Sequence, residues 1–193
     1  MSLTQFQLEG KVALVTGGSK GLGAAMSRAL ALAGADVLIS SRHEDELARA
    51  AAQITAGTQR RCAWYVADMG DRQAVRGLGE WAKSRFGKVD ILVNNAGTNK
   101  PQAIDSIDDE TWDSVMEINL KGVWLGCRAG IPAMLESGGG SIVNIASVSH
   151  EKGGGSFGNV WYGTTKAGVV ALTKGLGREL APHRIRVNAL APT

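Results

Sequence analysis

A buried strand that runs into a glycine turn and then a helix leaves a chain few ways to fold, and this chain begins that way. Lys11 to Thr16, Lys-Val-Ala-Leu-Val-Thr, is a short apolar run, the pattern of a strand covered on both faces. Gly17-Gly18-Ser19-Lys20-Gly21-Leu22-Gly23 follows, and strong helix formers then run from Ala24 to a stop at Gly34. The alternation continues. Strands are expected at Val37–Ser40, Cys62–Ala67, Val89–Val93, Ser141–Ala146 and Arg184–Leu190. Helices are expected at Glu44–Ala56, Arg72–Phe86, from Asp108 or Asp109 to about Ser137 with a break near Asp109–Trp112, and at Val160–Leu180. Ser147 to Gly158 reads as a polar, glycine-rich loop. Strands alternating with helices predict one α/β domain: a doubly wound parallel sheet of at least six strands, helices on both faces, joined by right-handed crossovers.

Composition narrows the function classes. The chain has 193 residues, 44% hydrophobic and 20% charged, with 26 glycines. That is enough for one substantial core, and it predicts many tight turns or close backbone approaches. Lys and Arg number 21 against 18 Asp and Glu, a net charge of +3. Arg60-Arg61 is the densest basic patch, so the charge suits a small anionic ligand better than a nucleic acid. Cys62 and Cys127 lie far apart without zinc-site or disulfide spacing, and His43, His150 and His183 are scattered, so no metal is expected. No signal-peptide pattern opens the chain, and charges such as Arg28 and Asp36 interrupt its apolar runs. A cytoplasmic protein without membrane partners is the expectation.

Three motifs carry chemistry. The first is the glycine turn between strand and helix. A helix N-terminus presents free N–H groups and partial positive charge, and glycines let that backbone approach a pyrophosphate. No Gly-x-x-x-x-Gly-Lys-Ser/Thr stretch is present, which argues against a P-loop nucleotidase. The second is Ser40-Ser41-Arg42 at the end of the second strand, where a dinucleotide fold often carries an acidic residue for the ribose. With no carboxylate there, Arg42 and Lys20 favour a 2′-phosphate, hence NADP with NAD as second choice. The third is Tyr162-Gly-Thr-Thr-Lys166. Residues four apart share a helix face, and a cation beside a phenol favours the phenolate, which makes Tyr162 a candidate general acid or base.

Taken together, Thr16-Gly17-Gly18-Ser19-Lys20-Gly21-Leu22-Gly23, Asn94-Asn95-Ala96-Gly97, Asn119, Ser147 and Tyr162-x-x-x-Lys166 resemble the short-chain dehydrogenase/reductase family. The likeness runs from about Leu8 to Thr193, and is greatest to 3-oxoacyl-carrier-protein reductases and sugar or polyol dehydrogenases. It implies a Rossmann-type fold and roles for individual residues. Tyr162 would exchange the proton, Lys166 would support it and hydrogen-bond the nicotinamide ribose, Ser147 would hold the substrate oxygen, and Asn119 would anchor a relay water. Gly17, Ser19, Lys20, Gly21, Leu22, Gly23, Ser41, Arg42, Asp68, Met69, Asn95, Ala96, Gly97, Ile118 and Pro192 would line the cofactor cleft, with Asp68 at the adenine. Val187 to Thr193 would lie beside the nicotinamide.

Some assignments compete. Ser141 and Ser149 are alternatives to Ser147, which is preferred because it directly follows the fifth strand. Ser147 lies 15 residues before Tyr162, slightly farther than the family's usual spacing, and Gly153-Gly154-Gly155 is expected to absorb the excess. Gly154-Gly155-Ser156-Phe157-Gly158 matches the nucleophile elbow of α/β-hydrolases, but no strand precedes it. The five Trp residues form no periodic stripe and are read as packing. The family continues beyond the Pro-Gly region, so relative to it the chain reads as C-terminally truncated and lacking a last strand.

The expected function is hydride transfer between NADP(H) and a small carbonyl or secondary alcohol. The alternative is a non-enzymatic dinucleotide-binding module. By resemblance, helices around Thr111–Ser137 and Val160–Leu180 would form a homotetramer or homodimer interface.

Overall fold

The computed structural model describes residues 6–155 and 159–193. Its first element is β1 (Val12–Thr16), buried along its whole length. It is followed by α1 (Gly21–Leu32), β2 (Asp36–Ser41), α2 (Glu44–Thr55), β3 (Cys62–Val66), α3 (Arg72–Phe86) and β4 (Ile91–Asn94). The second half holds α4 (Asp109–Met116), α5 (Gly122–Glu136), β5 (Gly140–Ile145), α6 (Ser149–Lys152), α7 (Val160–Leu180) and β6 (Ile185–Leu190). All strand pairs are parallel, in the order β3-β2-β1-β4-β5-β6. This is the doubly wound, Rossmann-type sheet that the alternation implied.

Strand periodicity explains how the sheet is sandwiched. Successive side chains point to opposite faces, so neighbours such as Leu14 and Val15 enter different layers. Val15, Val37, Ile39, Val93 and Ile145 pack with Ala31 of α1 and Leu47, Ala51 and Ile54 of α2. Leu14, Leu38, Leu92 and Ile142 pack on the other side with Val75 and Leu78 of α3, Met134 of α5 and Val169 of α7. Parallel strands end together, so Thr16, Ser41, Asn94, Ile145 and Leu190 all lie along one edge. The chain winds one way from β1 to β3 and the other way from β4 to β6. The β1/β4 boundary is therefore the point where a ligand crevice opens in such sheets.

Helix limits follow capping chemistry. The Asp71 carboxylate accepts from the N–H groups of Gln73 and Ala74 at the start of α3, and Gly87 ends that helix with φ +76°. Asp108 caps α4 by accepting from the Thr111 N–H at 2.6 Å. Two expectations are corrected here. The irregularity in the long helical stretch falls at a π-helical turn, Glu117–Lys121, instead of near Asp109–Trp112. The stretch after β5 is also more than a loop, because it contains α6, which Gly153 closes at φ +73°. The hydrolase-like Gly154–Gly158 motif extends outside the described residues.

A buried polar chain ties the second half of the sheet to α7. Asn94 Nδ2 donates to Asn144 Oδ1 at 2.9 Å, Asn144 Nδ2 to Thr173 Oγ1 at 2.9 Å, and Thr173 Oγ1 to the Val169 carbonyl at 2.7 Å. Buried amides that lose a partner are costly to fold around. Replacing Asn144 with Ala is expected to destabilise the fold by on the order of 2 kcal/mol in urea unfolding. An unchanged midpoint would show that the chain of hydrogen bonds contributes nothing.

Candidate active site

The crevice is built from the turn upward. Gly17 and Gly21 adopt φ of +64° and +52°, a region that only glycine enters freely. A Cβ on Gly17 would meet Ala96 Cα at 2.9 Å, so the turn lies directly against the chain leaving β4. Thr16 and Asn95 hold the two together. Thr16 Oγ1 accepts from the N–H groups of Asn95 and Ala96 at 3.0 and 3.1 Å, and Asn95 Nδ2 donates to the carbonyls of Thr16 and Gly17 at 3.0 and 3.1 Å. Lys20, at the N-cap of α1, supplies no side-chain cap. The first N–H groups of that helix thus remain free for an anion.

Above this turn opens a crevice of about 320 Å³. Gly17, Ser19, Lys20, Ser41, Arg42, Asp68, Met69, Ala96, Gly97 and Ile118 all line it, as the family pattern anticipated. Met69 turns its side chain away, where its Cε would stand 3.6 Å from a Cβ on Gly126. Asp68 Oδ1 accepts from the Gly70 N–H at 2.9 Å, and the Ser41 hydroxyl is buried without a partner among the described residues. Gly21, Leu22 and Gly23 lie in the first turn of α1, outside the lining, and Leu22 is exposed. Glycine cradle, uncapped helix, free hydroxyl and two cations make a donor set that fits a phosphorylated dinucleotide.

The sequence also missed residues. His43, Glu46, Ala67 and Thr98 line the same crevice. Ser40-Ser41-Arg42 at the end of β2 holds no carboxylate, but Glu46 reaches back into the crevice from the first turn of α2, and Lys20 Nζ donates to its Oε1 at 2.6 Å. The only sequence signal was a run of three acids opening a helix, which reads equally well as ordinary dipole complementation.

The Tyr162–Lys166 pair sits beyond Gly97. Lys166 is buried, its Nζ donating to the Ile145 carbonyl at 2.7 Å and lying 5.6 Å from the centre of the Tyr162 ring. Burial pushes the Lys166 ammonium down to about 8. A Cβ on Gly97 would stand 3.3 Å from Asn119 Oδ1 and 3.8 Å from Lys166 Nζ, so the three residues meet at one point. The π-helical turn aims Asn119 inward, and both ends of its carboxamide engage Thr98, Nδ2 donating to the carbonyl and Oδ1 accepting from the N–H, each at 2.8 Å. The Asn119 side chain thus shapes the Gly97–Thr98 loop.

The serine alternatives separate by position. Ser141 pairs with Ile91 at the opposite end of the sheet, beside Asp90 and Lys11, and is removed from the crevice. Ser147 and Ser149 lie together: the Ser147 hydroxyl donates to Ser149 Oγ and accepts from the Ser149 N–H, both at 3.2 Å. The Pro192 carbonyl accepts from the Val148 N–H at 3.1 Å, which seats Pro192 next to this pair. Burial raises both thiols, Cys62 and Cys127, to about 12, so neither is a nucleophile near neutral pH. A larger cavity of about 710 Å³ between α3 and α5 shares no lining residue with the crevice. Among the described residues no His, Cys, Asp and Glu cluster could hold a metal, and no helix is long and apolar enough to cross a membrane.

Strand order, crevice and the Tyr162–Lys166 pair place the molecule in the dinucleotide-binding class of α/β proteins. Residues 11–193 match the family model described as short chain dehydrogenase, and the chain belongs to the short-chain dehydrogenase/reductase family of oxidoreductases. It is 38% identical over 192 residues to the 3-oxoacyl-acyl-carrier-protein reductase FabG of Thermotoga maritima, covering 96% of this chain and 74% of the relative. It is 37% identical over 188 residues to the D-threitol dehydrogenase of Mycolicibacterium smegmatis, covering 97% and 71%. Among solved structures, L-sorbose reductase from Gluconobacter frateurii, complexed with NADPH and L-sorbose, superposes with a TM-score of 0.93 at 32% identity, covering 97% of this chain and 70% of that one.

The depressed Lys166 has a consequence for stability. In the unfolded chain this lysine titrates near its ordinary 10.5, and in the folded state near 8. Between those values the unfolded state binds the extra proton, so stability rises with pH across that window. Below about pH 8 the burial penalty is fully present. Relative to a Lys166→Met variant, the wild type is expected to gain on the order of 2 kcal/mol in unfolding free energy between about pH 8 and about pH 10. A difference independent of pH, measured by urea unfolding, would show that the ammonium is not desolvated.

Proposed function

We propose that this protein interconverts a small carbonyl compound and its secondary alcohol at the expense of NADP(H), with Tyr162 as the acid or base. The observation that carries this is the buried ammonium of Lys166, 5.6 Å from the Tyr162 ring and against Gly97 at the floor of the crevice. A nicotinamide nucleotide, when bound, supplies or accepts the hydride. The protein's own groups do the rest. Tyr162 gives its proton to the substrate oxygen during reduction and takes it back during oxidation. Lys166 provides positive charge that favours the phenolate, and Ser147 holds the substrate oxygen, with Ser149 supporting it from two residues away. Asn119 keeps Gly97 and Thr98 in place beside Lys166.

Gly17, Ser19, Asn95, Ala96 and Ile118 would contact or support the nucleotide backbone, and Asp68 the adenine end. Arg42, Lys20 and the unpartnered Ser41 hydroxyl support binding of a 2′-phosphate, with NAD the second choice. Relatives that act on a sugar alcohol and on a sugar support a polyhydroxylated or similarly small oxo substrate. Exposed Trp112 on α4 and Trp124 on α5 support self-association through these helices.

Reduction of a carbonyl panel, followed by loss of NADPH absorbance, tests the proposal. Tyr162→Phe is expected to lower kcat/KM about 10²- to 10⁴-fold, with the NADPH dissociation constant within about threefold of wild type. An unchanged rate would remove Tyr162 from the chemistry. Nucleotide binding by the wild type without turnover of any carbonyl would make the chain a binding module.

A further inference from the structure

The Lys20–Glu46 pair lies in the crevice, yet neither the family nor the strand order requires it. Its two members differ in freedom. The Glu46 side chain is 18% exposed and the Lys20 side chain 71% exposed, so the carboxylate is the fixed partner and the lysine the one that is drawn. Arg42 lines the same crevice and joins none of the ion pairs among the described residues. The crevice thus holds the cations Lys20 and Arg42 against the carboxylates of Glu46 and Asp68, and of the two carboxylates Glu46 is the one paired with a cation. A phosphate arriving there competes with Glu46 for Lys20 and meets the repulsion of the carboxylate itself.

We infer that Glu46 is a specificity-determining residue: by holding Lys20 it weakens the grip on a 2′-phosphate and keeps the unphosphorylated dinucleotide competitive. The inference rests on the proposed nucleotide site. It assigns phosphate recognition in this chain chiefly to Arg42, with Lys20 as a reserve released when Glu46 loses its charge. The Ser41 hydroxyl, buried and unpartnered, is neutral and suits either a ribose hydroxyl or a phosphate oxygen. It does not alter the balance that Glu46 sets.

The experiment is calorimetric titration of NADP⁺ and NAD⁺ into wild type, Glu46→Gln, Lys20→Ala and the double variant, without any carbonyl substrate. The ratio of the two dissociation constants within one protein sample is insensitive to a partly unfolded fraction. Glu46→Gln is expected to shift that ratio toward NADP⁺ about three- to tenfold, through tighter NADP⁺ binding at nearly constant NAD⁺ affinity. Lys20→Ala is expected to remove most of this gain in the Glu46→Gln background, while changing the ratio less in the wild type. Three results would overturn the inference while leaving the nucleotide site standing. These are an unchanged ratio in Glu46→Gln, a shift that comes only from weakened NAD⁺ binding, or an equal effect of Lys20→Ala in both backgrounds. Failure of wild type to bind either nucleotide would instead bring down the proposed site, and this inference with it.

Discussion

Thr16 and Asn95 stitch the end of β1 to the end of β4 where the winding of the sheet reverses, and everything functional hangs from that seam. Four hydrogen bonds between two side chains and their opposing backbones fix the glycine turn against Ala96. The turn in turn sets where α1 begins, with its first N–H groups uncapped by a side chain. Because the strands are parallel and hydrogen-bonded to their neighbours in fixed register, their ends cannot drift independently. Arg42 after β2, Asp68 after β3, Gly97 after β4 and Ser147 after β5 are therefore delivered to one edge by the topology alone.

The second constraint is the burial of Lys166. An ammonium removed from water needs compensation, and here the carbonyl of the last β5 residue provides it. That bond locks α7 to β5 and so fixes the height of Tyr162 above the sheet edge. The π-helical turn at Glu117–Lys121 brings Asn119 against the same point, where both ends of its carboxamide engage Thr98. Fold stability and the proposed proton chemistry share these groups.

Much of this was legible in the residues themselves. The strand–turn–helix at Val12–Leu32 and the exact bounds of α3 and α7 follow from local pattern, since capping and periodicity are short-range. The Tyr162–Lys166 spacing pointed to one helix face, and the structure puts both on it. What stayed hidden depends on contacts across the chain. Glu46 meets Lys20 across 26 positions, and a run of acids at a helix start does not say which one will reach a neighbouring turn. The break expected near Asp109–Trp112 falls instead at the π-helical turn, because an added residue in a helix leaves almost no mark on apolar periodicity. Ser141 stands at the start of β5 and Ser147 follows its end, and only the direction of the strand tells the crevice end from the far end.

A crystal structure with bound NADP⁺ tests the central claim most directly. The account predicts the pyrophosphate against Gly17–Gly23, the 2′-phosphate at Arg42 and the nicotinamide between Tyr162 and Pro192, with the tyrosine hydroxyl facing the ring. A nucleotide lodged elsewhere, such as between α3 and α5, or a Tyr162 hydroxyl directed away from the nicotinamide, would contradict it.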